Sequence, residues 1–194
     1  MNFLHQFDQL IFKLSRAFGL LAGGLCLAMI AVVFVDVLAR YAFGGGSVAM
    51  QELEWHLFAA MFLLGAAYTM RQNANVRIDV LYAKMSVQKK AWVDILGTLF
   101  FVLPMCSLIL YSSMDFVGYA YQIKEISPDP GGLPYRYLIK ATLPLAYFLV
   151  LLEALALIAR NLLVLAGAVV PAFAPDVPPL PQGGRGSGRG WEDG

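Results

Sequence analysis

Few side chains in this sequence could do chemistry, and most of those stand at the edges of apolar runs. Asp36 and Arg40 are four residues apart. On a helix they share a face, so the pair could clamp a partner or close on itself as an interfacial ion pair. QELEWH, residues 51–56, puts Glu52 and His56 on one helix face with Glu54 close by; two acids and a histidine could hold a proton or a metal. His5 is the other histidine, and the charge pattern below sets it on the opposite side of a membrane. A zinc site and a two-histidine haem site therefore both lack ligands. Cys26 and Cys106 lie in apolar runs, and no CxxC occurs, so neither a disulfide framework nor a redox centre is indicated. Acids at the start of a helix meet its positive dipole end, which gives Glu52 and Glu54 a structural reason to be where they are. Lys140 falls about 9 Å into a fourth apolar segment; it can snorkel outward or pair with a carboxylate. Glu153 lies roughly 28 Å from the start of that segment. That places it beside the far interface, with Arg160 two turns on, and suits it poorly to carry a proton through the midplane. These residue types call for no cofactor and no metal, and an enzyme is not expected.

The elements that must position these residues are membrane helices. The chain is 59% hydrophobic and 14% charged, where a soluble domain carries about 25% charged residues. The near-zero net charge of +1 points to no nucleic-acid partner. The run from Ala17 to Val35 holds 19 uncharged residues, roughly 28 Å of helix against a hydrocarbon core of about 30 Å. It is longer than a signal peptide's apolar region and ends in charge, not in small residues. Spans are expected at about 17–38, 51–71, 92–116 and 135–159, making residues 1–170 one all-α, four-helix membrane domain. Ile78, Leu81, Tyr82 and Met85 recur at helical spacing, which predicts a short amphipathic helix lying in the interface near Arg77 and Asp79. Ser86 can cap the helix that follows. Lys and Arg favour one side of this arrangement by ten to four, so both termini and the 71–90 connection are expected in the cytoplasm. Residues 171–194 hold five prolines in eleven residues and then GGRGSGRG; such a tail buries no core and is expected to be disordered.

Two motifs shape the spans. Gly19 and Gly23, with Gly24 and Ala28, are spaced for close helix approach. In ISPDPGGLPYRYLIKATLP, residues 126–144, the group Pro128, Pro130, Gly131 and Gly132 stops the third span behind an aromatic belt of Tyr111, Phe116, Tyr119 and Tyr121. Pro134 suits the first turn of the next helix. Pro144 removes the hydrogen bond to the Lys140 carbonyl and Pro104 the one to that of Phe100, so a loosened turn is expected at each.

Taken in order, these segments resemble the small membrane subunit of tripartite ATP-independent periplasmic (TRAP) transporters. The resemblance rests on D-x-x-x-R-Y-x-F-G at Asp36–Gly44, the QELEW stretch, G-A-A-Y-x-x-R-x-N-A-x-V-R-I-D-V at Gly65–Val80, and the run from S-P-D-P-G-G-L-P to K-A-x-L-P at Ser127–Pro144. It covers roughly residues 10 to 165. Asn75 stands where the family often has histidine, and it keeps hydrogen-bonding capacity. The resemblance implies a bacterial inner-membrane subunit without a substrate site of its own. It would brace a large multi-span subunit that moves an organic acid, often a carboxylate, across the membrane driven by a sodium or proton gradient, after a periplasmic solute-binding protein has delivered it. Membrane lipids are the remaining partners. The residues alone leave a second reading open, a self-sufficient proton-coupled homo-oligomer using Glu52 or Glu153. The candidate contact and structural positions are Asp36, Arg40, Glu52, Glu54, Arg77, Asp79, Pro128, Gly132, Pro134, Lys140 and Pro144.

Overall fold

In lipid every backbone N–H and C=O must find its partner inside the chain, and a helix does this within one segment. The computed structural model describes residues 2–72 and 85–167, and all its regular structure there is helical. Four helices are long and apolar enough to cross a membrane: α1 (Asn2–Phe43), α2 (Val48–Arg71), α3 (Val87–Gln122) and α4 (Tyr137–Leu165). The amphipathic helix expected over 78–85, with Arg77 and Asp79, lies outside the described residues apart from its last position, as does the tail.

α1 has 42 residues, about 63 Å, so it extends well past one hydrocarbon thickness. It begins fifteen residues before the expected span. It stops where Gly44 takes a positive φ of 68° and gives its N–H to the Arg40 carbonyl at 3.1 Å, a left-handed cap that glycine adopts without steric cost. α3 widens over Thr98–Val102 into a π-turn, with Leu103 N–H reaching back five residues to the Thr98 carbonyl. Pro104 brings no N–H to the Phe100 carbonyl, and the ladder relaxes just before it. α4 runs through Pro144 without a break. Its start differs from expectation: Pro134 lies three residues before the helix, because Tyr135 sits at φ 62°, outside the right-handed region. Ser86 occupies the N-cap position of α3, but its side chain makes no capping bond.

α4 is the central helix and packs against each of the other three, while α1 and α2 pair along their length. Leu64 and Ala67 of α2 meet Leu149 of α4, with Leu14, Phe18 and Leu25 of α1 closing over them. The small-residue motif divides between two fates. A Cβ on Gly19 would lie 2.5 Å from the Tyr68 ring, whereas one on Gly23 would meet nothing within 4 Å. Gly19 thus lets α1 and α2 meet internally. Large apolar side chains such as Leu20, Leu27, Phe62, Phe100, Phe101 and Leu108 face outward, as a chain surrounded by lipid or by another membrane protein requires. Gly19→Ala is expected to lower the unfolding temperature in detergent, at a cost of about 1–3 kcal/mol. Gly23→Ala should match or exceed the parent, since alanine favours helix by about 1 kcal/mol.

Candidate functional site

Polar side chains gather at both ends of the bundle, and α2 connects the two groups. Its second group of residues carries Glu52 and its last residue is Arg71. Nineteen residues separate them, roughly 28 Å and close to the hydrocarbon thickness.

At the end bearing the α1–α2 and α3–α4 loops, Glu52 is buried and organises the loop of residues 123–136. One carboxylate oxygen accepts the Ser127 hydroxyl at 2.5 Å; the other accepts the Leu133 N–H at 2.6 Å. Ser127 Oγ in turn accepts the Asp129 N–H at 3.1 Å. Gly132 passes so close that a Cβ there would lie 2.5 Å from the Ser127 Cβ and 2.8 Å from the Glu52 carboxylate, so a side chain at this position would have to displace that pair. Backbone bonds from Ser127 to Leu133 and from Arg136 to Glu125 hold the loop shut. Lys124 at φ 48° and Tyr135 at φ 62° occupy left-handed conformations, which persist only when surroundings over-determine them. Lys140 donates to the Glu125 carboxylate and lies 4.1 Å above the Phe116 ring. Of the two behaviours open to it, pairing is therefore the one adopted. The Arg136 guanidinium lies 5.4 Å from the Trp55 ring.

Asp36 and Arg40 do form their ion pair, at 2.5 Å, with Asp36 buried and Arg40 half exposed. Glu54 is half-buried. His56 does not join Glu52; its Nδ1 donates to the Glu52 backbone carbonyl within the same helix. Pro128 is exposed on the loop, and Pro144 is half-buried in α4.

At the other end lies a group that residue-by-residue reading did not assemble. Arg71 grips Asp8 of α1 with both terminal nitrogens, at 2.5 and 3.0 Å. Arg160 of α4 reaches the same Asp8 at 2.8 Å. Both arginines also donate to Glu153, at 3.3 and 3.0 Å, and Ser15 of α1 donates to its second oxygen at 3.0 Å. The Phe12 ring lies 5.1 Å from the Arg71 guanidinium. Glu153 belongs to this end of the bundle and is wholly enclosed there, with 0% exposure. Two acids and two arginines balance, and burial of charge in a membrane is tolerable only with such closure. The signal was present in spacing: Asp8 and Ser15, like Glu153 and Arg160, are seven apart, two turns on one face.

Four of the described helices are long and apolar enough to cross a membrane, the architecture of a multi-pass membrane protein. Residues 29–164 match the family model described as "Tripartite ATP-independent periplasmic transporters, DctQ component". That stretch covers most of the chain, and the chain belongs to this family, the small membrane components of TRAP transporters. Over 116 residues it is 29% identical to the "Putative TRAP transporter small permease protein" of Haemophilus influenzae, covering 57% of this chain and 71% of that relative.

Removing one member of a buried charge group leaves the others uncompensated, at about 3–5 kcal/mol. Glu153→Ala is accordingly expected to lower the unfolding temperature sharply, or to abolish recovery of folded protein. Lys89→Ala, at an exposed position, should fall within about 0.5 kcal/mol of the parent. Thermal unfolding of both in the same detergent checks the contrast.

Proposed function

We propose that this chain is the fixed, non-catalytic brace of its transporter. A large multi-span subunit carries an organic acid, a carboxylate, across the inner membrane on an ion gradient, and a periplasmic solute-binding protein delivers it. The observation that carries this reading is the closure of the charges. Asp8, Arg71, Glu153 and Arg160 pair with one another across α1, α2 and α4, and Glu52 ties α2 to the α3–α4 loop. Side chains engaged in this way hold helices in register. The outward faces are apolar and suit a large hydrophobic companion.

The charge distribution supports placing both termini in the cytoplasm and the loop of residues 123–136 on the periplasmic side. There the pinned loop, with Pro128, Asp129 and Pro130 exposed, offers a rigid platform to the solute-binding protein. Rigidity lowers the ordering cost of docking. In this reading Glu52, Asp36 and Gly132 set the shape of the platform from beneath, and Arg40 and Glu54 lie at its margin. The self-sufficient transporter reading would need Glu52 or Glu153 free to exchange a proton, and both are held by partners.

Expressed with its large subunit, the tagged chain is expected to bring down that protein. Recovery of the chain alone in mild detergent would refute the assignment. Lys140→Ala should weaken assembly or uptake more than Lys140→Arg, which keeps the ammonium-like contact with Glu125 and Phe116. A reporter fused after residue 170 should read cytoplasmic.

A further inference from the structure

Residues 141–159 of α4 form a run of 19 with a single charged member, Glu153, roughly 28 Å of helix. Six residues of the run follow it, about 9 Å of cover on the nearer side. Side chains on a helix lean toward its N-terminus, so the glutamate leans away from that nearer edge and is too short to reach water. In the bundle it is fully enclosed and accepts from Ser15, Arg71 and Arg160.

These three donors are not equivalent. Ser15 stands 138 positions from Glu153 in the chain and Arg71 82 positions. Both come within reach only where α1 and α2 lie against α4. Arg160 is seven residues on along the same helix, two turns on one face, and donates at 3.0 Å. That bond requires no element other than α4. Arg160 stands one residue past the apolar run, and its long side chain leans back toward Glu153.

The other acid is served in the same way. Arg71 grips Asp8 at 2.5 and 3.0 Å, a contact contained within α1 and α2, which are consecutive in the chain. The group therefore divides into two local pairs, Asp8–Arg71 and Glu153–Arg160. Two bridging pairs, Arg71–Glu153 at 3.3 Å and Arg160–Asp8 at 2.8 Å, join the α1–α2 unit to α4. Each unit brings its own counter-charge, and an ionised carboxylate without one is costly in hydrocarbon.

From this division we propose that Arg160 is the counter-charge that takes Glu153 into the membrane. α4 enters with the two paired, and the bridges to Asp8 and Arg71 form when it docks on α1 and α2. The proposal stands independently of the bracing role above. The test follows the full chain in the bacterial inner membrane with a reporter of sidedness at each end. The two reporters read the same side when α4 crosses and opposite sides when it stays out. Two double variants are compared, Asp8→Asn with Arg71→Gln and Asp8→Asn with Arg160→Gln. Each keeps Glu153 and one arginine already bonded to it, at 3.0 or 3.3 Å, so the finished group is equally neutral in both. They differ in whether that arginine travels on α4. The first should cross as the parent does. In the second the ratio of crossed to uncrossed α4 should fall roughly tenfold, about 1.4 kcal/mol. Adding Glu153→Gln to the second should restore crossing, because no charge is left to escort. Equal crossing by the two double variants, or a larger loss in the first, overturns the proposal. So does failure of the added Glu153→Gln to restore crossing, which would leave Arg160 only the general role of a basic residue in setting topology.

Discussion

Four charges enclosed by helices, Asp8, Arg71, Glu153 and Arg160, set the terms for the rest of this bundle. Each would be intolerable in a membrane alone. Together they are neutral, and the two arginines share both carboxylates at 2.5–3.3 Å. Closure requires the extended N-terminal part of α1, the last turn of α2 and the middle of α4 to be in register at once. That requirement explains the unusual length of α1: its first turns are there to bring Asp8 and Ser15 to α4. It also explains why α4, which must present Glu153 inward and reach α3 on its far side, occupies the centre.

The loop end obeys the same logic with weaker groups. A single buried carboxylate, Glu52, accepts two hydrogen bonds from a loop that proline and glycine have already made stiff. The two ends are joined through α2, whose stretch from Glu52 to Arg71 is close to the hydrocarbon thickness. Between them the contacts are apolar and close, as where Gly19 accepts the Tyr68 ring. A bundle tied at both membrane faces and smooth between them resists internal rearrangement.

Much of this was legible in the sequence. The four spans follow from apolar runs long enough to cross. The Asp36–Arg40 pair follows from helical spacing. Glu52 was read as an acid at a helix start, but α2 begins at Val48 and has no acid in its first turn; the Glu52 carboxylate instead bonds residues 75 and 81 positions away, beyond any local pattern. Pro134 looked like a helix start because φ near −65° suits one, but the left-handed Tyr135 that follows forbids it. The charge group escaped notice because its members lie on three helices, and Asp8 precedes the apolar run that marks the first span. Only the paired seven-residue spacings hinted at it. The family resemblance drawn from the ordered motifs agrees with the family match over residues 29–164.

Whether the bundle stays fixed during transport can be read from a cross-link. A Cβ on Gly65 would lie 3.5 Å from that of Ala22, within the range a disulfide spans. With Cys26 and Cys106 replaced by serine, the double variant Ala22→Cys, Gly65→Cys should oxidise readily and bind α1 to α2. Uptake by the assembled transporter in proteoliposomes should then be the same in the oxidised and reduced states. A loss of uptake on oxidation that reductant restores would mean these helices must move, contradicting the static brace.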